Sequence, residues 1–354
     1  MRAESFNFLK AIQETPSVSG FEQPVARIIR RRMKRFADAI STDVHGNTIV
    51  KLNPKGKPRV MLAGHYDQIG LMVRHITDEG FLHFSTVGGV DPTLLPGSRV
   101  AIHTRKGPVH GVIGRKPVHL MKQEERGQAK IELHDLWIDI GARDKADAAR
   151  RVAVADPVTY QLGLERLGSD CVTSPGLDDK TGAFVVMEAL RLASARRLKC
   201  ALFAVATCQE ELGLRGARTS CFGIDAQVGI AVDVTHATDN PGADKRVAGD
   251  IALGKGAVID RGANINPALG ELLIDTARKK RVPYQLSAAP NATGTDANAI
   301  QVSRSGVAAA IVGIPNRYMH SQVEVVSLSD LEACAKLLAE TVARIDARMN
   351  FIPL

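Results

Sequence analysis

Acidic and histidine side chains recur at one kind of place along this chain, just past short runs of β-branched and small apolar residues. His65 and Asp67 follow the run Arg59–Ala63, and Glu210 and Glu211 follow Ala201–Ala206. Asp233 ends Val228–Val232, and His320 lies just beyond Val307–Ile314. Asp178 and Asp179 open an amphipathic stretch, Asp179–Leu192. Singly, each has an ordinary explanation. A lone histidine is usually a surface or satisfied core residue, an Asp-Asp pair at a helix start usually serves capping and the helix dipole, and a Glu-Glu pair before Gly213 is usually a solvated loop. Jointly, five coincidences at strand ends are required, and that reading is rejected. If the strands are parallel, these side chains converge outside the carboxyl ends of a sheet, where open α/β sheets bind ligands. Imidazoles and carboxylates without thiolates suit divalent cations such as zinc, cobalt or manganese.

The elements that must position them read as follows. The four apolar runs are strands, and helical patterns lie between or after them. One is Asp179–Leu192. Another starts near Ser329, where Ser329 and Glu332 form a capping box and Leu331, Cys334, Leu337, Leu338 and Val342 share one face. This alternation predicts an α/β fold, a mixed and mostly parallel sheet flanked by helices. The stretch 71–164 differs. It is glycine-rich, with short β-like runs at Phe81–Val87, Arg99–His103, Gly111–Ile113 and Leu136–Ile140, separated by turn signals. It is expected to form a small inserted β-rich domain, and residues 1–70 with 165–354 a discontinuous main domain.

The chain has 354 residues, 45% of them apolar, enough for two domains with a sizeable core. Met1–Phe8 lacks the basic-then-apolar pattern of an export signal, and no apolar run approaches the roughly 20 residues of a membrane-spanning helix. A cytoplasmic protein without membrane contact is expected. The five cysteines are scattered and form no C-x-x-C pair, which argues for buried thiols rather than disulfides or a cysteine zinc site. The net charge is +8, densest at Arg27, Arg30, Arg31, Arg32, Lys34 and Arg35. Val25, Ile28, Ile29, Met33 and Phe36 recur there at helical spacing, so a helix with a core face and a solvated basic face is expected. The segment lacks a recognition motif and interleaved aromatics, which disfavours nucleic acid as a partner.

Several segments resemble M42 metallo-aminopeptidases, within the wider clan of two-metal exopeptidases. They are Gly64-His65-Tyr66-Asp67-Gln68-Ile69-Gly70, Ser174-Pro175-Gly176-Leu177-Asp178-Asp179-Lys180, Gln209-Glu210-Glu211-Leu212-Gly213-Leu214-Arg215-Gly216 and Arg317-Tyr318-Met319-His320-Ser321. Asp233-Val234-Thr235-His236 and Gly294-Thr295-Asp296-Ala297 also match. The resemblance runs from near Leu9 almost to the C-terminus, and its motifs are specific as an ordered set. It implies two divalent metal ions per subunit, zinc or cobalt. His65 and Asp233 are then ligands to separate metals, Asp178 bridges both, and Glu211 and His320 complete the sites. It further implies that Glu210 is the general base for a metal-bridged water, that Asp67 orients His65, and that the Asp178–Asp179 peptide is cis. The substrates are peptides with a free N-terminus. The inserted part resembles the family's dimerisation domain, which implies a small β-barrel or PDZ-like fold, in relatives whose dimers assemble into tetrahedral dodecamers.

Three departures stand out. Gln68 replaces a frequent Glu, Tyr66 a common Met and Asn316 a frequent Thr, none at a ligand position. In Lys116-Pro117-Val118-His119, a rigid turn presents His119 where it could serve a neighbouring subunit's site, although an ordinary surface or interface histidine is the plainer reading. The competing functions are a deacylase or carboxypeptidase of the same clan, a catalytically inactive scaffold, and a nucleic-acid-binding protein. Residues 209–216 and 317–321 favour the aminopeptidase over the first, and the complete ligand set with Glu210 favours it over the second.

Overall fold

A computed structural model of the chain describes residues 1–121 and 131–353. They form two compact units: Met1–Gln68, Leu164–Met319 and Val323–Leu354 in the first, and Ile69–Gly163 with His320–Gln322 in the second.

The first unit holds a mixed sheet flanked by helices. Its strands are β1 (Ala39–Thr42), β2 (Thr48–Leu52) and β3 (Arg59–His65), then, after β4 to β9 of the second unit, β10 (Glu165–Leu167), β11 (Cys171–Ser174), β12 (Ala201–Thr207), β13 (Val228–His236), β14 (Ala257–Gly262), β15 (Tyr284–Ala289), β16 (Ala308–Arg317) and β17 (Glu324–Ser327). The order is β1-β2-β12-β3-β13-β16-β17-β11-β10, with β14 also on β16 and β15 on β14. The centre is parallel: β3 pairs with β12 and β13, and β13 with β16. The flanks pair antiparallel through β1–β2, β2–β12, β16–β17, β17–β11 and β11–β10. Every residue of β12 is buried, as are six of the seven in β3, the pattern of strands covered on both faces.

Register sets the chemistry. Thr207 pairs with His65 at the ends of β12 and β3. Ala231 of β13 pairs with Ala63, so Asp233, two residues on, comes level with His65. The helix Leu177–Ala193 begins two residues earlier than its apolar pattern, and Asp178 and Asp179 have non-helical backbone angles inside it. Gly64 and Gly182 allow the close approach of this helix to β3, because a Cβ on Gly64 would overlap the Gly182 carbonyl.

Two sequence expectations need correction. The last helix, Leu328–Val342, is capped by Ser327, whose hydroxyl accepts the Asp330 N–H; Ser329 donates instead to Asp170 (2.7 Å), and Glu332 pairs with the Met1 ammonium (3.1 Å). The basic helix is Gln23–Met33 and buries Val25, Ala26, Ile29 and Met33, but the Arg32 side chain is only 11% exposed. It lies over the rings of Phe8 and Phe36 at 5.5 and 5.3 Å and pairs with Glu4 at 2.6 Å.

Glu340, on the last helix, is held by Arg196 and by Lys280 (3.1 Å). The Arg196 guanidinium, helped by Lys280, lowers its carboxyl from 4.5 to about 2. A depressed folded value contributes stability above pH 4.5 that is lost as pH falls through about 2. Both cations are partly exposed, so screening reduces the effect. Glu340→Gln is expected to cost about 1–2 kcal/mol at neutral pH. In denaturant titrations the gap to the parent should close on acidification; a gap that is constant with pH would contradict this account.

In the second unit, β4 (Gly70–Ile76), β5 (Leu82–Val87), β6 (Arg99–Thr104), β7 (Gly107–Arg115), β8 (Leu136–Asp139) and β9 (Pro157–Tyr160) close a barrel in the order β4-β5-β8-β7-β6-β9. All its pairings are antiparallel. Each strand of the closed barrel pairs with two neighbours, and Leu71, Val73, Leu82, Val100, Ile102, Ile138 and Val158 fill the interior.

Candidate functional site

At the carboxyl ends of β3 and β13, the donor atoms of His65, Asp178 and Asp233 all lie within 4.8 Å of one another. His65 Nε2 is 3.1 Å from Asp178 Oδ1, 3.8 Å from Glu210 Oε2 and 3.9 Å from Asp233 Oδ1. His65 Nδ1 faces the Asp67 carbonyl at 3.1 Å. A carbonyl only accepts, so in the neutral ring the proton sits on Nδ1 and Nε2 keeps its lone pair toward the carboxylates. A carboxylate oxygen of Glu211 also lies within 4.8 Å of one on Asp178.

Backbone contacts position these groups. The Asp178 N–H donates to Glu324 (2.8 Å), and the Asp178–Asp179 peptide is cis. Asp179 accepts the N–H groups of His65 (3.1 Å) and Gly182 (2.9 Å), tying strand end to helix start. Lys180 is buried and donates to the carbonyls of Gln13 (3.2 Å) and Thr15 (2.8 Å). Burial brings its ammonium down to about 7.

Asp67 does more than stand beside His65. Its Oδ1 is 3.5 Å from His65 Nδ1 and accepts the Glu210 N–H at 3.0 Å. Its Oδ2 accepts the Ser19 hydroxyl at 2.6 Å and the Glu211 N–H at 3.3 Å.

The electrostatics of the cluster are those of crowded anions. Burial, with repulsion from neighbouring carboxylates, raises Asp233, Asp179 and Glu210 well above the usual carboxylate range. Burial opposes a charged His65, but Glu210, Asp178 and Asp67 outweigh it and raise the imidazole. One imidazole among converging buried carboxylates is a donor set that divalent cations fit, by charge and by ligand chemistry.

Three further residues carry no periodic signal in the sequence. Asp296 is buried within electrostatic reach of Glu210 and Asp233, accepts the Thr207 hydroxyl at 2.6 Å, and is pushed up to about 6 by burial. Its Oδ1 has no hydrogen-bond partner among the described residues. Ser19 and Glu22 come from the segment before the helix Gln23–Met33; Glu22 accepts the N–H groups of Gly20 (2.7 Å) and Gln209 (3.2 Å). Of the departures, Tyr66 is buried and donates to the Gly46 carbonyl at 2.7 Å. The Gln68 side chain lies against Gly176, and nothing in the structure explains Asn316, whose buried amide has no hydrogen-bond partner among the described residues. His320, at φ 60°, belongs to the stretch that folds with the second unit, its Nδ1 3.1 Å from the Gly89 carbonyl. His119 is exposed in a short 3-10 turn, Val118–Leu120.

Known proteins share this arrangement of elements. A sequence model of the M42 glutamyl aminopeptidase family matches residues 46–337. The lysyl aminopeptidase of Pyrococcus furiosus is 37% identical over 350 residues, covering 98% of this chain and 99% of that one. Among solved structures, a TET aminopeptidase from a marine-sediment Thaumarchaeota archaeon superposes with TM-score 0.92 at 34% identity, covering 97% of both chains. The Pyrococcus horikoshii TET1 peptidase, described as assembling into a tetrahedron or a large octahedral shell, gives TM-score 0.85 at 34% identity over 96% of this chain and 100% of that one.

Proposed function

The chain belongs to the M42 glutamyl aminopeptidase family and is an aminopeptidase of that type; we propose that it removes N-terminal residues from peptides at the cluster of His65, Asp178 and Asp233, with Glu210 as general base. What supports this reading most is the convergence of those three donors within 4.8 Å, with the Glu210 carboxylate 3.8 Å from His65 Nε2. Glu211 and His320 are the further ligands that the sequence resemblance implies, and zinc or cobalt suits the set. When bound, two such cations polarise the scissile carbonyl and acidify the attacking water. Glu210 takes one proton from that water as its oxygen bonds to the carbonyl carbon. It hands the proton to the amide nitrogen as the C–N bond breaks, leaving a free amino acid and a shortened peptide. The substrate's free α-amine would be held at this same cluster, which restricts cleavage to the N-terminal residue. Asp67 holds the Glu210 and Glu211 amides and the orientation of His65 together.

The chain is further proposed to work as a homo-oligomer, with dimers built through the inserted unit and assembled to a dodecamer. Val112, Val118 and Leu120 on that unit are exposed apolar side chains that a second copy would cover. Light scattering that gives a monomer at working concentration would contradict this. Five free cysteines, four of them buried, suit a reducing cytoplasm. Among the described residues, no helix is long and apolar enough to cross a membrane.

The activity is tested with matched peptides bearing free or acetylated N-termini. Stepwise release of residues from the free peptide alone is expected. Equal cleavage of both would rule out an exopeptidase that needs the α-amine.

A further inference from the structure

Glu22 is the N-cap residue of the helix Gln23–Met33, yet its side chain makes no capping hydrogen bond to that helix. The carboxylate instead accepts the N–H groups of Gly20 (2.7 Å) and Gln209 (3.2 Å). The next two amides of the same loop, Glu210 and Glu211, donate to Asp67 at 3.0 and 3.3 Å. Three consecutive N–H groups therefore converge on two buried carboxylates, supplied by segments nearly 190 and over 140 residues away. Consecutive amides pointing into one concavity form an anion-binding nest, and here the chain fills the nest with its own side chains. Gln209 has φ 52°, in the left-handed region that a residue with a Cβ rarely adopts, so this turn needs something to hold it. Ser19, three residues before Glu22, donates to Asp67 at 2.6 Å and ties the two acceptors into one support.

We infer that Glu22 is a positioning residue for the general base: by holding the Gln209 amide it fixes the left-handed turn that presents the Glu210 carboxylate. The inference rests on the proposed role of Glu210. A purely structural role, bracing Gly20 or the helix start, would affect stability without singling out the turn at 209. Burial pushes the Glu22 carboxyl up to about 7, so near neutrality it is protonated about half the time. Glutamine reproduces that neutral form, and its carbonyl oxygen still accepts both N–H groups.

The experiment compares Glu22→Ala, Glu22→Gln and Glu22→Asp by amide hydrogen exchange on metal-free protein and by steady-state kinetics on metal-loaded protein. Glu22→Ala is expected to speed exchange across 209–211 selectively. It should lower kcat on the order of 10- to 100-fold, the scale of a displaced catalytic group, with KM changed by less than about threefold and metal content unchanged. Glu22→Gln should restore both the protection and most of kcat. Glu22→Asp keeps the charge but withdraws the oxygen from the turn, so it should behave like the alanine variant and serves if that variant does not fold. Unchanged exchange at 209–211 in the alanine and aspartate variants would overturn the inference. So would a loss confined to KM, or an equal loss of kcat in Glu22→Gln. The exchange readout does not depend on activity, so a failure of Glu210 as the base, seen as full activity in Glu210→Gln, is separable from a failure of Glu22 as its support.

Discussion

Glu210→Gln is expected to lower kcat by about 10²–10⁴ while both metal ions stay bound, because the variant removes the proton acceptor and little else. Glutamine has the same volume, and its backbone N–H still donates to Asp67 as that of Glu210 does at 3.0 Å. The Glu210 carboxylate is buried near His65 Nε2 (3.8 Å), Asp233 and Asp296. Its neighbour Glu211 is partly exposed and has a carboxylate oxygen within 4.8 Å of one on Asp178, so Glu211→Gln should lose metal at one site. Metal analysis after dialysis and steady-state kinetics on both variants separate the roles. Metal loss in Glu210→Gln, with retention in Glu211→Gln, would exchange the two assignments.

Asp178→Asn should be at least as damaging, with activity falling by about 10²–10⁴ or more and both ions lost, since this carboxylate is proposed to serve both. Its Oδ1 lies 3.1 Å from His65 Nε2, inside the donor cluster with Asp233. The backbone should survive, because the Asp178 N–H still reaches Glu324 and Asp179 still ties His65 to Gly182. The fold therefore serves as the control. Metal that binds the native state alone, at a hundred to a thousand times its Kd, stabilises the parent by about 3–4 kcal/mol. That increment should be absent from the variant, whose melting temperature should not respond to chelator. An Asp178→Asn protein that keeps two ions and a tenth of the parent rate would remove Asp178 from the bridging position.

The sequence exposed some parts of this molecule and concealed others, for identifiable reasons. The central strands were legible because both their faces are covered, so Val60–Ala63 and Leu202–Ala206 read as unbroken apolar runs. Their ends then located His65 and Glu210. Asp233 and Asp178 were legible by the same logic, one at the end of a strand and one at the head of a helix. The helix cap was misread because two serines, Ser327 and Ser329, stand two residues apart; register with β11 decides which one faces the helix amides. Arg32 was misread because a helical wheel marks a charge as outward, whereas its guanidinium lies over the rings of Phe8 and Phe36. Among the supports of the cluster, Ser19 and Glu22 were the least visible, while Asp179 and Asp296 stood out only as members of matching segments and not as supports. Each acts through one hydrogen bond or two to a distant segment, and such pairings leave no periodic trace in the chain.

The donor cluster at the ends of β3 and β13 also bears on how the protein is made. His65, Asp178 and Asp233 are far apart in the chain, and His65 comes level with Asp233 only when β13 has laid itself beside β3. β13 in turn pairs along its whole length with β16, which ends at Arg317. The hydrolytic centre proposed here would therefore stay incomplete in a polypeptide still emerging from the ribosome until most of it had been translated. On that proposal, an enzyme that attacks free N-termini would be kept inert while it is itself, among other nascent chains, an accessible amino-terminal substrate.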